Sequence, residues 1–113
     1  MVSGGDERLS LVLCNAPPDD ALRIARVVVD RHLAACVNVV PGVTSVYRWE
    51  GAMHEDQEST LLVKTRASLV DALTAAIREV HPYAVPEVIA VPIDPGVGNP
   101  AYLAWVRDET RPT

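Results

Sequence analysis

Two cysteines and three histidines are the soft and borderline donors this 113-residue chain offers. Cys14, Cys36 and His81 suit a transition metal, because thiolate and imidazole are the ligands such ions prefer. No CxxC or HxxxH spacing gathers them locally, so any site they form must be assembled by the fold, and a compact structural zinc site is not expected. The same residues also read as two core thiols and a histidine that stops a helix. His54 lies beside Glu55, Asp56 and Glu58, a set that would hold a divalent ion or form a solvated acidic loop. His32, near a predicted helix C-terminus, is a favourable dipole partner and is given no further role.

Lys64 is the single lysine. In a central strand its ammonium needs a carboxylate partner or a wet cavity, and Glu58 and Glu87 are the candidates. With Trp49, Tyr83, Tyr102 and Trp105, these three charged residues could line an inter-subunit pocket whose aromatic walls and oriented charges hold a small anion or another ion. The alternative is a buried ion pair with aromatic interface anchors. Gly96-Val97-Gly98 lacks the remaining glycine and the lysine of a phosphate-binding loop and reads as a helix-entry turn. No Ser-His-Asp or Cys-His pair stands at a recognisable spacing, so no catalytic residue and no enzyme class is assigned.

The elements that must position these groups follow from apolar periodicity. Leu9 to Cys14 is almost continuously apolar and predicts a central strand buried on both faces. Asn15 to Asp20 breaks it, and Asp19 is the expected N-cap of a helix with Leu22, Ala25, Val29 and Leu33 as its apolar stripe. The β-branched run after Ala35 predicts a long strand ending at Trp49, with Pro41-Gly42 as a bulge or bend. Glu50-Gly51 starts the reversal, and Thr60 to Thr65 returns as the partner strand of a long hairpin. Ser68 and Asp71 stand at capping-box spacing before a helix that buries Leu69, Leu73, Ile77 and Val80 and stops at His81-Pro82. Val88 to Ile93 is a fourth strand, with Pro92 marking an edge or an end, and Asn99-Pro100 opens a last helix through Trp105.

The order predicts an α+β, ferredoxin-like βαββαβ sandwich with an extra C-terminal helix, the helices covering one face of an antiparallel sheet. Both faces of the central strands are apolar, so the uncovered face calls for a sister subunit. Residues 1–8 read as a flexible N-terminal lead, 9–110 as one domain and 111–113 as a tail.

The five aromatic residues, two Trp and three Tyr, fall in three clusters: Tyr47 and Trp49 within Ala34 to Gly51, Tyr83 within His81-Pro82-Tyr83-Ala84-Val85-Pro86-Glu87, and Tyr102-Leu103-Ala104-Trp105. In that order, with Lys64-Thr65 between the first and second, these segments resemble the CutA family of divalent-ion tolerance proteins from about Leu9 to Trp105. The resemblance implies a homotrimer whose long hairpins reach into neighbouring subunits. It also implies association with copper and other divalent cations, with Cys14 and His81 as candidate copper ligands. Val80 stands where some relatives have a second histidine directly before the His-Pro-Tyr.

Composition narrows the remaining classes. Net charge is -5 and no run of Lys or Arg occurs, which speaks against nucleic acid as a partner. The start of the chain has no apolar stretch suited to a secretory signal, and no run reaches the length of a membrane span. The expectation is a soluble cytoplasmic protein with reduced thiols and no obligatory cofactor. The resemblance implies copies of itself and divalent metal ions as partners, and a role in divalent metal binding and tolerance. The alternative is a PII-like trimer sensing a small ligand in inter-subunit clefts, against which stand the short Glu50 to Asp56 turn and the lack of a nucleotide motif.

Overall fold

A computed structural model describes residues 7–111 of the chain. The expectations for 1–6 of the lead and 112–113 of the tail lie outside the described residues. The last two residues of the expected lead are tied down: Glu7 accepts from the Ser68 hydroxyl, and the Arg8 carbonyl accepts from Ala67 N–H at 2.7 Å.

Four strands, β1 (Leu9–Ala16), β2 (Cys36–Trp49), β3 (Ala52–Arg66) and β4 (Val88–Pro92), form one antiparallel sheet in the order β2-β3-β1-β4. With helices α1 (Pro18–Asp30), α2 (Val70–Val80) and α3 (Pro100–Glu109), this is the expected ferredoxin-like sandwich with an added C-terminal helix. Alternation along β1 and β3 sorts the sheet's two faces. Val12, Cys14, Ala16, Leu61 and Val63 pack with Ile24, Val28, Leu73 and Ile77 of α1 and α2 in the main core. Each large side chain buried there contributes roughly 1.5–3 kcal/mol.

Three local expectations change. α1 begins at Pro18, with Pro17 rather than Asp19 at the cap, and it buries Ala21, Ile24, Ala25 and Val28. Leu22 and Val29 of the expected stripe are exposed. Two adjacent apolar stripes exist on this helix, and the one carrying alanine at its first position lets the helix sit close to the sheet. Ahead of α2, Ala67–Leu69 form a 3-10 turn and no side-chain cap is made, because Arg66 and Leu69 rather than Ser68 stand at the cap positions; the Ser68 hydroxyl donates to Glu7. The helices do not all share one face. Leu9, whose side chain alternates with those of the main core, packs with Val106 and Leu103 of α3. Arg66, paired opposite Leu9, donates through Nη2 to the Arg107 carbonyl at 2.6 Å. α3 therefore covers one end of the sheet face that α1 and α2 leave open, with Asn99 as the expected cap accepting from Ala101 N–H.

β1 pairs with β3 only as far as Ser59, whereas β2 and β3 continue together from Val43↔Glu58 to Trp49↔Ala52. The hairpin thus projects as a two-stranded ribbon and stretches the chain to 51 × 26 × 23 Å. Its reversal is a tight turn in which Glu50 and Gly51 both have positive φ, 50° and 79°, the backbone signature of a type I′ turn. The acidic segment around His54, expected as a loop, is strand.

Candidate functional site

A single extra residue decides which side chains meet. Val40 pairs with Thr60, but the next pair is Val43 with Glu58, so β2 spends three residues where β3 spends two. This is the bulge expected at Pro41-Gly42, with Gly42 at φ 74°, a conformation that glycine adopts without a Cβ penalty. Before the bulge Cys36, Asn38 and Val40 lie opposite Lys64, Leu62 and Thr60; after it Val43, Ser45, Tyr47 and Trp49 lie opposite Glu58, Asp56, His54 and Ala52. Directly paired residues share a face. The bulge therefore turns Tyr47 and Trp49 onto the same face as Asp56 and Glu58, and the ribbon's other face takes Val46, Arg48, Met53 and Glu55.

The segment between α2 and β4 closes over this face. Its Tyr83 hydroxyl donates to Glu58 at 2.9 Å, and Glu58 is only 6% exposed. Glu87 accepts from the Asn15 amide at 3.3 Å, and Asn15 Oδ1 accepts from the Thr60 hydroxyl at 2.6 Å. Tyr47 donates to Asp56 and stacks on His54, ring centres 5.4 Å apart. Together Asn15, Tyr47, Trp49, Glu58, Tyr83 and Glu87 line a cleft of 610 Å³, whose wall is completed by Ser45, Val46, Ala84 and Val85. Among the described residues no basic one lines it. Burial and the Glu58 carboxylate push the Tyr83 phenol up to about 12, so it remains a hydrogen-bond donor throughout the physiological range.

Cys14 and His81 meet below the cleft at one atom, the Asn15 carbonyl oxygen. His81 Nε2 lies 2.8 Å from it and Cys14 Sγ 3.8 Å. His81 Nδ1 accepts from Tyr83 N–H at 3.1 Å, which leaves the proton on Nε2 to be donated to Asn15. Burial first, then the Glu87 and Glu58 charges, push the Cys14 thiol up to about 12. A divalent ion needs a thiolate and a free ring lone pair. As held here the pair offers neither, and among the described residues no group of three or more His, Cys, Asp or Glu is placed to hold a metal ion.

Within one chain, Trp49, Glu58, Tyr83 and Glu87 of the expected inter-subunit pocket come together, and Lys64, Tyr102 and Trp105 lie elsewhere on the sheet and α3. Six strand residues at about 3.3 Å each place Lys64 roughly 20 Å from Glu58 along β3. Lys64 donates to the side-chain amide oxygen Oδ1 of Asn38, with Cys36 Sγ 3.9 Å from its ammonium. Tyr102 and Trp105 pack on each other on α3, ring centres 5.5 Å apart. Burial and then the neighbouring Cys36 sulfur raise the Tyr102 phenol. Asn15 and Tyr47 are the cleft residues that the sequence reading left without a role. Tyr47 carries a signal in hindsight, since it precedes Trp49 by two and shares its strand face, whereas nothing local marks Asn15. Strand alternation also divides the acidic run, turning Glu55 away from His54, Asp56 and Glu58.

A family model described as CutA1 divalent ion tolerance protein matches residues 10–109. The chain is 52% identical over 101 residues to a protein CutA homolog of Xenopus laevis, covering 88% of this chain and 66% of that one. It is 48% identical over 101 residues to a divalent-cation tolerance protein CutA of Thermus thermophilus, covering 88% and 96%. It spans about half the length of the mammalian relatives it matches. Among solved structures, CutA1 of Oryza sativa superposes with a TM-score of 0.90 at 44% identity, covering 96% of this chain and 99% of that one. A Nostoc protein described as PII-like protein CutA superposes at 0.85 with 36% identity, covering 90% and 97%.

Proposed function

This chain belongs to the CutA1 divalent ion tolerance family, and from that premise we propose that it is a homotrimeric, cytoplasmic protein that binds divalent cations, copper among them, without catalysing a reaction. The observation that carries the reading is the sign of the cleft. Glu58 and Glu87 line it, Asp56 lies beside it, and no basic residue among the described residues lines it with them, so it attracts cations and repels phosphates and carboxylates. That sign weighs against an anionic effector of the PII kind, for which the support is likeness of fold.

The divalent ion is cargo. Glu58 and Glu87 give it hard oxygen donors at the cleft wall, and Cys14 and His81 lie beneath as the softer pair suited to copper. Using that pair costs the thiol proton and the Tyr83 N–H to His81 bond, so copper binding there is modest at neutral pH. Free Cys14 and Cys36 agree with a reducing compartment. No helix among the described residues is long and apolar enough to cross a membrane.

The test is calorimetric titration of chelator-stripped protein with copper, zinc, phosphate and a nucleotide. Copper or zinc should give heat that Glu58→Gln with Glu87→Gln abolishes and that Cys14→Ser or His81→Ala reduces for copper only. Heat from the nucleotide with silence from both metals would replace this reading with the PII-like one.

A further inference from the structure

Metal ions need carboxylates but have no use for rings, and the cleft is walled by rings. Tyr47, Trp49 and Tyr83 line the same space as Glu58 and Glu87. Two of the rings are fixed by their neighbours. Tyr47 is held by its hydroxyl on Asp56 and by stacking on His54. Tyr83 is held by its hydroxyl on Glu58 and packs on His81 with ring centres 4.8 Å apart. Each phenol keeps its proton and donates a hydrogen bond to a carboxylate; His54 covers one face of Tyr47, and what remains of the three rings lines the cleft.

Glu58 supplies a second, independent observation. It is more than nine-tenths buried yet lines the cleft, and it has no Lys, Arg or His ion partner among the described residues. One of its oxygens accepts from Tyr83; the other has no hydrogen-bond partner there and is not sealed from solvent. A buried carboxylate lacking a cation is costly, and the side of it that remains open faces the aromatic walls.

We propose that the cleft binds an organic ammonium ion, an alkylammonium group seated against the faces of Tyr47, Trp49 and Tyr83 with its charge on Glu58 and Glu87. Aromatic faces attract such cations through their quadrupole, and quaternary ammonium groups are recognised this way. A bare metal ion keeps its water and gains little from the rings, whereas alkylammonium is weakly hydrated and buries its carbons against them. The cleft at 610 Å³ falls in the size range of small-molecule sites. This inference goes beyond the divalent-cation reading and does not depend on it, since the ligand binds with metals absent.

The experiment uses the Trp105→Phe chain, in which Trp49 is the only indole, titrated with tetramethylammonium in the presence of EDTA at fixed ionic strength. Trp49 emission should change saturably, and the methyl protons should move upfield in the ring currents. The neutral isostere tert-butanol and potassium ion should do neither. Trp49→Ala and Tyr47→Ala should each weaken binding at least about fivefold, and Glu58→Gln about tenfold. Tyr83→Phe keeps the ring and frees the carboxylate oxygen, so binding should persist in it, which separates ligand recognition from loss of fold. Equal binding of tert-butanol, equal competition by potassium, or no saturable change in the parent would overturn the proposal, whatever the outcome with copper or zinc.

Discussion

Cys14 shows how burial sets chemistry at a single atom. The thiol is enclosed beneath the cleft, and its ionisation is pushed to about 12 by burial and by Glu87 and Glu58. Iodoacetamide at pH 7.5 should therefore leave Cys14 unmodified in native protein and alkylate it once denaturant is added, which peptide mass spectrometry would read; native alkylation would contradict the enclosure. The same shift makes stability depend on pH. Below the ordinary thiol value of about 8.5 both folded and unfolded chains hold the proton. Between there and about 12 the unfolded chain releases it while the folded chain keeps it, so stability falls as pH rises. Thermal unfolding should show that decline beginning near pH 9, and Cys14→Ala should flatten its first part. Tyr83→Phe should leave this first part in place and relieve only the decline above about pH 10, where the unfolded phenol ionises and the folded one does not.

At the scale of the element, the bulge at Pro41-Gly42 is the device that makes the cleft. Strand side chains alternate with period two, so one inserted residue exchanges the faces of everything after it. Deleting Gly42 should restore an unbroken ladder and turn Tyr47 and Trp49 to the face now held by Val46 and Met53. The expected result is a chain that still folds, because Cys36 to Val40 keep their pairing, but loses ligand-dependent change in Trp49 emission. Undiminished binding by the deletion variant would mean that the ribbon face does not supply the walls.

For the whole molecule, the question is what supports the ribbon. A two-stranded hairpin on its own is marginal in water, yet this one projects beyond β1 with Met53, on the ribbon face away from the cleft, 68% exposed. Ile89 and Val91 of β4 are exposed too, on the sheet face opposite α1 and α2. Apolar surface on both projections calls for copies of the same chain, in line with the trimer proposed above. Light scattering should return three times the 12.2 kDa chain mass at micromolar concentration. Met53→Glu should weaken the assembly by about 1.5 kcal/mol or more without touching the cleft lining. A monomeric parent would sink this account.

The sequence by itself determined the element order, the strand-bulge-strand hairpin, the Asn99-Pro100 helix start and the stops at His81-Pro82 and Pro92, because periodicity, proline and glycine act within a few residues of themselves. It also singled out Trp49, Glu58, Tyr83 and Glu87, which the fold gathers at one cleft. It left undetermined which stripe of α1 is buried, since Leu22-Ala25-Val29 and Ala21-Ile24-Val28 are both valid helical faces and only contact with the sheet selects one. It joined Lys64 to Glu58 and Glu87 by charge alone, and within one chain strand rise sets Lys64 apart from Glu58. Only the tertiary structure brought Asn15 between Glu87, Thr60, His81 and Cys14, turned α3 onto the second face of the sheet, and used both His81 nitrogens in hydrogen bonds. Those outcomes depend on contacts between residues tens of positions apart, which no local pattern encodes.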